Sequence, residues 1–437
     1  MTHSRRGFLG ISAASAMAVV LSACGGGTQP GENPDGNGGG GGDANAWILT
    51  GGMWPVIQDS IDRWNEANPD QEISVEEFEN DAYKERIRTA VGAGRAPTLV
   101  LSWGGGTLVD YVNNDHVVDI TDATSDLQDR LLPSVAQNGQ VDGATYAVPV
   151  NDVQPVVLFY NRDLFDEHGL EVPTTYDELL EVSAAFQEAD VLPIALAGAS
   201  VWPELKWIQY LTDRAGGPEA FQAVLDGEAD AWSHPAFLDA TTKIKELVDT
   251  GAFGDNYGSV AADQNADIAL VHTGRAAMIL WLSSAYATFR TDAPEFTESS
   301  LGWTSFPTID GGEGDPANIV GNPANVFSVS AAASEGAQEA ALGWISDQLY
   351  DDAQIEDMIA AGAVPPVQGI EDQLGQSENA DFLTYSYGLA QEAPHFQLSW
   401  DQALPPGQAQ ELLNNLSQLF LGQITPQQFV DNMNATL

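Results

Sequence analysis

A single cysteine, Cys24, stands in 437 residues. It has no partner for an internal disulfide, and thiolate metal sites are excluded with it. Lysine is almost as scarce, with only Lys84, Lys206, Lys243 and Lys245. All fifteen basic residues face sixty-three acidic ones, a formal charge of −48. Phosphate backbones are gripped by clustered Lys and Arg, so nucleic acid is excluded as a partner. The six histidines, at 3, 116, 168, 234, 272 and 395, are too far apart in sequence for a local metal site. No Gly-Lys-Ser/Thr phosphate loop, Gly-x-Ser-x-Gly elbow or His-Glu-x-x-His helix is present. No cofactor, metal or catalytic set is therefore expected. Sixty-three acids guarantee carboxylate pairs by chance, so such pairs identify no glycosidase dyad.

What is present in excess is acid, spread along the chain instead of gathered in one tail. Such a surface repels itself in dilute buffer and is screened in concentrated salt, where the Debye length falls to about 3 Å at 1 M. A halophilic setting is the expectation; an acidic surface that only aids solubility is the alternative. Thermal unfolding across a salt series separates the two. A melting temperature that climbs from dilute buffer to molar salt supports the first, and equal stability in both rejects it. Apolar content of 43% with eleven tryptophans suffices for two domains with substantial cores.

The N-terminus carries its own signals. Ser4-Arg5-Arg6-Gly7-Phe8-Leu9 opens an apolar stretch over 8–20, too short to span a bilayer, which ends in Leu21-Ser22-Ala23-Cys24. Residues 1–23 read as a twin-arginine export signal with a lipobox. Cys24 is then the acceptor of a diacylglyceryl group, placing the protein on the outer face of the cytoplasmic membrane. Residues 25–43 are almost wholly Gly, Asn, Pro, Asp and Thr, a flexible tether, so 24–45 is expected to be lipidated cysteine plus linker. No later segment approaches the roughly 18 uninterrupted apolar residues of a membrane helix.

From residue 46 strand-like runs alternate with amphipathic helices, which predicts an α/β fold. Strands are expected over 47–50, 73–78 and 98–102, with helices between them carrying Ile57, Ile61 and Trp64, then Tyr83, Ile87 and Val91, at helical spacing. The loops after these strands are where open α/β sheets bind ligands. A further strand is expected over 156–160, followed by helices over 176–187, 202–214, 218–225 and 235–250.

Seven segments then carry a family resemblance: Arg63-Trp64-Asn65-Glu66-Ala67-Asn68-Pro69, Gly94-Arg95-Ala96-Pro97-Thr98-Leu99-Val100, Tyr146-Ala147-Val148-Pro149, Phe159-Tyr160-Asn161-Arg162-Asp163-Leu164-Phe165, Pro173-Thr174-Thr175-Tyr176-Asp177-Glu178-Leu179, Gly274-Arg275-Ala276-Ala277-Met278 and Ala340-Ala341-Leu342-Gly343-Trp344-Ile345. In this order they resemble the carbohydrate-binding solute receptors of ATP-driven importers. The resemblance implies a two-lobed periplasmic-binding-protein-like fold whose hinge the chain crosses several times, near 149–154, 306–310 and 365–368. The implied lobes are 46–151 plus 309–366 and 152–308 plus 367–437. It also implies a monomer that takes an oligosaccharide to the permease subunits of its importer. A secreted glycoside hydrolase and a sugar-sensing receptor subunit are the competing readings.

Sugars call for aromatic faces and for planar amides or carboxylates. Trp54, behind Gly51-Gly52-Met53 and ahead of Pro55, and Trp103, opening Trp103-Gly104-Gly105-Gly106, occupy loops at strand ends. The glycines there permit a positive φ and close backbone approach, which makes Gly104 a candidate too. Asp81, Asn151, Asp152 and Gln154 supply polar groups, each either a ligand contact or a turn or helix cap. In the second lobe Trp202, Trp281, Asn322, Trp400 and Asp401 complete the expected set, whereas Trp64, Trp232, Trp303 and Trp344 read as packing. Trp103-Gly104-Gly105-Gly106 with Asn151-Asp152-Val153-Gln154-Pro155-Val156 is similar to xylobiose or xylo-oligosaccharide receptors, with maltose-type and chitobiose-type ligands left open.

Overall fold

The computed structural model describes residues 44–437. The expected export signal, Cys24 and nearly all of the tether lie outside the described residues. Among the described residues no helix is long and apolar enough to cross a membrane.

Two sheets organise the chain. The first has the order Ile73–Phe78, Ala44–Leu49, Leu99–Ser102, Val326–Val329, Val148–Pro149. Its first three strands are parallel, joined by the crossover helices Trp54–Ala67 and Asn80–Gly92, while Val326–Val329 runs antiparallel to both of its neighbours. The opening strand starts earlier than 47, because Ala44 and Ala46 are fully buried against the partner strand that begins at Ile73. Alanine carries too little apolar weight to announce such a strand.

The second sheet has the order Phe396–Leu398, Ile319–Asn322, Gln154–Asn161, Ala276–Leu282, Leu192–Ala195, with Leu301–Thr304 pairing along the far end of Gln154–Asn161. Gln154–Asn161 is central, and its side chains alternate between two cores. Val157 and Phe159 face one, Val156 and Leu158 the other. A strand covered on both faces reads as an unbroken apolar run, which is why this one was conspicuous in sequence. Phe159 packs against Phe289 and Phe382, each at 5.6 Å between ring centroids. On the opposite face the helix Leu205–Gly216 is buried along residues 205–214, polar side chains included. Its Arg214 pairs with Asp213 at 2.6 Å and donates to the carbonyls of Asp315, Pro316 and Asn318, so the buried guanidinium pins the loop ahead of Ile319–Asn322.

The chain passes from the first sheet to the second across 150–153 and returns across 323–325. The return does not occur at 306–310. Phe306 stacks on Tyr210 at 4.7 Å and Thr308 bridges Thr175, both on the second side, because Ile319–Asn322 must still complete that sheet. Residues 309–322 therefore sit with the second lobe. Beyond helix Asp352–Ala361 the backbone runs beside the first crossing: Val153 N–H donates to Val364 O at 2.9 Å and Leu132 N–H to Pro366 O at 2.8 Å. Helix Ala380–Glu392 then packs on Gln154–Asn161.

Candidate functional site

Between the two sheets lies a cleft lined by the segments that follow the strands ending at Leu49, Phe78, Ser102, Leu282 and Leu398, together with the two crossings. This is the carboxyl-end position expected for a ligand site of open α/β sheets. Trp54, Trp103, Trp202 and Trp281 form its aromatic walls. Asn151, Asp152, Gln154, Asn322 and Asp401 supply polar lining.

Each tryptophan is held by local structure. Trp54 is the first residue of helix Trp54–Ala67, with Pro55 inside the first turn, where a missing N–H costs nothing. Trp103 lies edge-on to Tyr83 at 6.0 Å, and the buried Tyr83 hydroxyl donates to Leu101 O at 2.7 Å. Trp202 follows a γ-turn. Its N–H donates to Ser200 O at 2.7 Å across Val201, whose φ is +61°. A β-branched residue in that region stores about 1–3 kcal/mol of strain, here directly beside a cleft side chain. Trp202 and Trp281 meet at 5.1 Å with an interplanar angle of 45°.

The polar floor is only partly satisfied. Asn151 Oδ1 accepts from Asn325 N–H at 2.7 Å, but Asn151 Nδ2, Asn322 Oδ1 and Asn325 Oδ1 have no hydrogen-bond partner among the described residues. Buried amide atoms left this way cost about 1–3 kcal/mol each, a deficit that ligand hydroxyls can remove. Burial pushes the Asp152 carboxyl up to about 6, against one hydrogen bond from Gln154 Nε2 at 3.0 Å. Asp401 accepts from Ser399 Oγ at 2.8 Å and Gln402 Nε2 at 2.7 Å, and pairs with Lys84 at 3.8 Å.

Three expected site residues have other places. Trp400 is 1% exposed and stacked on Phe221 at 4.2 Å, inside the second core. The short helix Trp400–Ala403 turns its aromatic inward and leaves Asp401 on the cleft. Gly104 has a φ of +79°, and a Cβ there would lie 2.4 Å from Asn138 Oδ1, so its small size serves packing within the first lobe. Asp81 stands at the rim and ties the lobes together: its N–H donates to Asp263 Oδ2 at 3.1 Å and its carboxylate accepts from Ser200 Oγ at 2.9 Å. Lys84, Asp263 and Asn325 line the cleft without having been singled out. Asn80 and Lys84, one helical turn apart after the second strand, were the readable signal for the first. Asp263 comes from a loop with no strand ahead of it to flag it. Among the described residues no group of three His, Cys, Asp or Glu is arranged to hold a metal ion.

A family model described as bacterial extracellular solute-binding protein matches residues 54–354. The xylose/arabinose-binding protein XacG of Haloferax volcanii is 27% identical over 292 residues, 65% of this chain and 59% of that protein. An uncharacterized ABC transporter extracellular-binding protein of Pyrococcus horikoshii is 24% identical over 284 residues, 64% of this chain and 60% of its own. The chain thus spans about 60% of the length of these curated relatives. A chain solved in work on xylan utilization by the thermophilic bacterium Caldanaerobius polysaccharolyticus superposes with a TM-score of 0.81 at 30% identity, covering 90% of this chain and 100% of that one. A chitin oligosaccharide binding protein superposes at 0.80 with 22% identity, covering 90% and 98%, which shows the shared two-lobed fold.

Proposed function

Because the chain belongs to the bacterial extracellular solute-binding proteins, we propose that it is a carbohydrate receptor that captures an oligosaccharide between its lobes and delivers it to an ABC importer. The observation that carries this reading is the cleft itself. Four tryptophans surround amides with unmade hydrogen bonds and the carboxylates of Asp152 and Asp401, the complement of a sugar ring's apolar face and equatorial hydroxyls. A xylo-oligosaccharide such as xylobiose is the ligand favoured. It is supported by the Trp103 and Asn151 segments and by the likeness to a chain from work on xylan utilization.

Cys24 is the proposed lipid attachment site, reached by twin-arginine export, with the protein acting as a monomer beside its permease. Substitution Cys24→Ala then releases the protein from membranes while leaving sugar binding intact. The acidic surface is proposed to suit concentrated salt. We assign no catalytic step, so xylan and aryl glycosides are expected to yield no reducing sugar. Released sugar would favour the hydrolase reading instead.

Titration calorimetry against xylobiose, xylotriose, maltose, chitobiose and raffinose tests the ligand. Binding to the xylo-oligosaccharides supports the specific reading. Heat only with another glycan rejects xylobiose but keeps the receptor, and no heat with any glycan rejects carbohydrate. Binding should also shrink the radius of gyration in solution scattering, since closure of two lobes buries the ligand.

A further inference from the structure

The four lysines divide into two kinds. Lys243 and Lys245 lie on helix Pro235–Asp249 in i,i+4 pairs with Asp239 and Asp249, at 3.0 and 2.7 Å. The other two are drawn to the cleft tryptophans. Lys206 Nζ lies 4.2 Å from the ring centre of Trp202 and 3.8 Å from that of Trp281. The residue is 4% exposed, and its ammonium has no hydrogen-bond partner among the described residues. Lys84 Nζ lies 5.0 Å from Trp103 and 5.5 Å from Trp202. The five side chains alternate in the order Trp103, Lys84, Trp202, Lys206, Trp281, the first two from one lobe and the rest from the other.

A methionine in place of Lys206 would fill similar space without burying an unpaired charge. Burial pulls the Lys206 ammonium well below the usual lysine range and the like charge of Lys84 adds to this, while Asp267 and Asp401 act to hold it charged. Two indole faces are the remaining compensation, and cation–π attraction is strongest where water is excluded. That attraction is directional: it fixes each ring relative to the ammonium, and through it the two rings relative to each other.

We propose that Lys206 is a positioning residue that sets the Trp202–Trp281 pair as the second-lobe wall of the cleft, and that Lys84 extends the same ladder across the cleft to Trp103. Lys206 does not itself line the cleft and acts through the two rings. Its effect on affinity rests on the carbohydrate reading above, whereas its effect on ring geometry does not.

Two indoles 5.1 Å apart should give an exciton couplet in far-ultraviolet circular dichroism, which reports ring geometry without any ligand. Lys206→Met is expected to fold, to lose most of the couplet and to weaken glycan binding about 10- to 100-fold. Lys206→Arg, which keeps the charge between the rings, should retain the couplet and bind within about fivefold of the parent. Lys84→Met should leave the couplet unchanged and weaken binding about tenfold, chiefly through faster dissociation. A folded Lys206→Met protein with the parent couplet overturns the proposal, even if its melting temperature falls, because that is what a packing role alone produces. If Lys206→Met does not fold, Lys84→Met decides, and parent affinity there overturns the ladder. If the parent binds no glycan at all, the carbohydrate reading falls by itself and the couplet still decides on Lys206.

Discussion

Replacing Gly106 by valine is expected to weaken ligand binding at least a hundredfold while leaving both lobes folded. Gly106 sits in the first turn of helix Gly105–Asn113, whose Leu108 and Tyr111 belong to the first core. A Cβ on it would lie 2.2 Å from Leu404 O, and one on Gly105 would lie 2.2 Å from Gln402 O. Leu404 belongs to the second core, so the obstruction falls between the lobes and not within one. Gly105 has a φ of +56°, which would confound its substitution with backbone strain, whereas Gly106 is not in that region. Valine is also a better helix former than glycine. The variant should therefore keep its melting transition and lose closure. A ligand held by both walls binds in proportion to the closed fraction, and about 3 kcal/mol against closure is a factor of more than a hundred. Calorimetry should show the loss, and scattering should show a radius of gyration that no longer falls with saturating sugar. Parent affinity in this variant would refute the closure role of the loop. Gly104→Ala is the contrast: its clash with Asn138 is internal to the first lobe, so it should lower stability itself.

Local sequence pattern reaches only part of this arrangement. Alternation of strands and helices placed the ends of the strands, and those ends carry most of the cleft, so Trp54 and Trp103 were legible from their positions after strands, whereas Trp281, inside strand Ala276–Leu282, was indicated by the family resemblance. Asn151, Asp152 and Gln154 were legible because Pro149 and Pro155 bracket a segment that changes character. What stayed hidden is long-range. The three glycines after Trp103 do permit close backbone approach, but at Gly105 and Gly106 the approaching backbone is that of residues 402–404. Asp81 meets Asp263 across 182 residues of chain, and no local pattern marks such a pair. Trp400 and Asp401 are neighbours with the same loop context, and only the direction of a four-residue helix sends one into the core and the other to the cleft. The second crossing lies at 323–325 and not at 306–310 for a similar reason. Nothing local announces that Ile319–Asn322 pairs with Gln154 and Pro155 before the chain returns to the first sheet.

Stability of the ligand-free protein is expected to rise as the pH falls from 8 to 5, and ligand affinity to fall over the same interval. Burial raises Asp152 and Asp267 each to about 6, and Glu204 to about 9. In the unfolded chain these groups titrate near ordinary values, about 3.9 for Asp and 4.3 for Glu. Between the two values the native state holds more protons than the unfolded state, so unfolding free energy declines with rising pH. The contribution of Asp152 is complete below about pH 4 and is lost as the pH passes about 6, while that of Glu204 continues to drain toward about 9. A raise of some two units corresponds to about 3 kcal/mol for one buried group. Lys206, lowered by burial, opposes the trend, because its stabilisation is lost as the pH falls through its folded value. The −48 charge acts in the same direction as the carboxylates but is screened in molar salt. A slope that survives at 2–3 M salt, where the Debye length is below about 3 Å, therefore belongs to the buried groups. An ionised Asp152 carboxylate accepts from ligand hydroxyls more strongly than the neutral acid, so binding is expected to strengthen as the pH passes about 6. Asp152→Asn separates the two effects. It should be more stable than the parent at pH 8 by about 1–3 kcal/mol, bind more weakly, and lose the pH dependence of affinity near 6. Thermal unfolding and calorimetry from pH 5 to 8 in high salt decide the matter. A flat melting temperature, or an Asp152→Asn protein whose affinity still rises through pH 6, would remove Asp152 from the role.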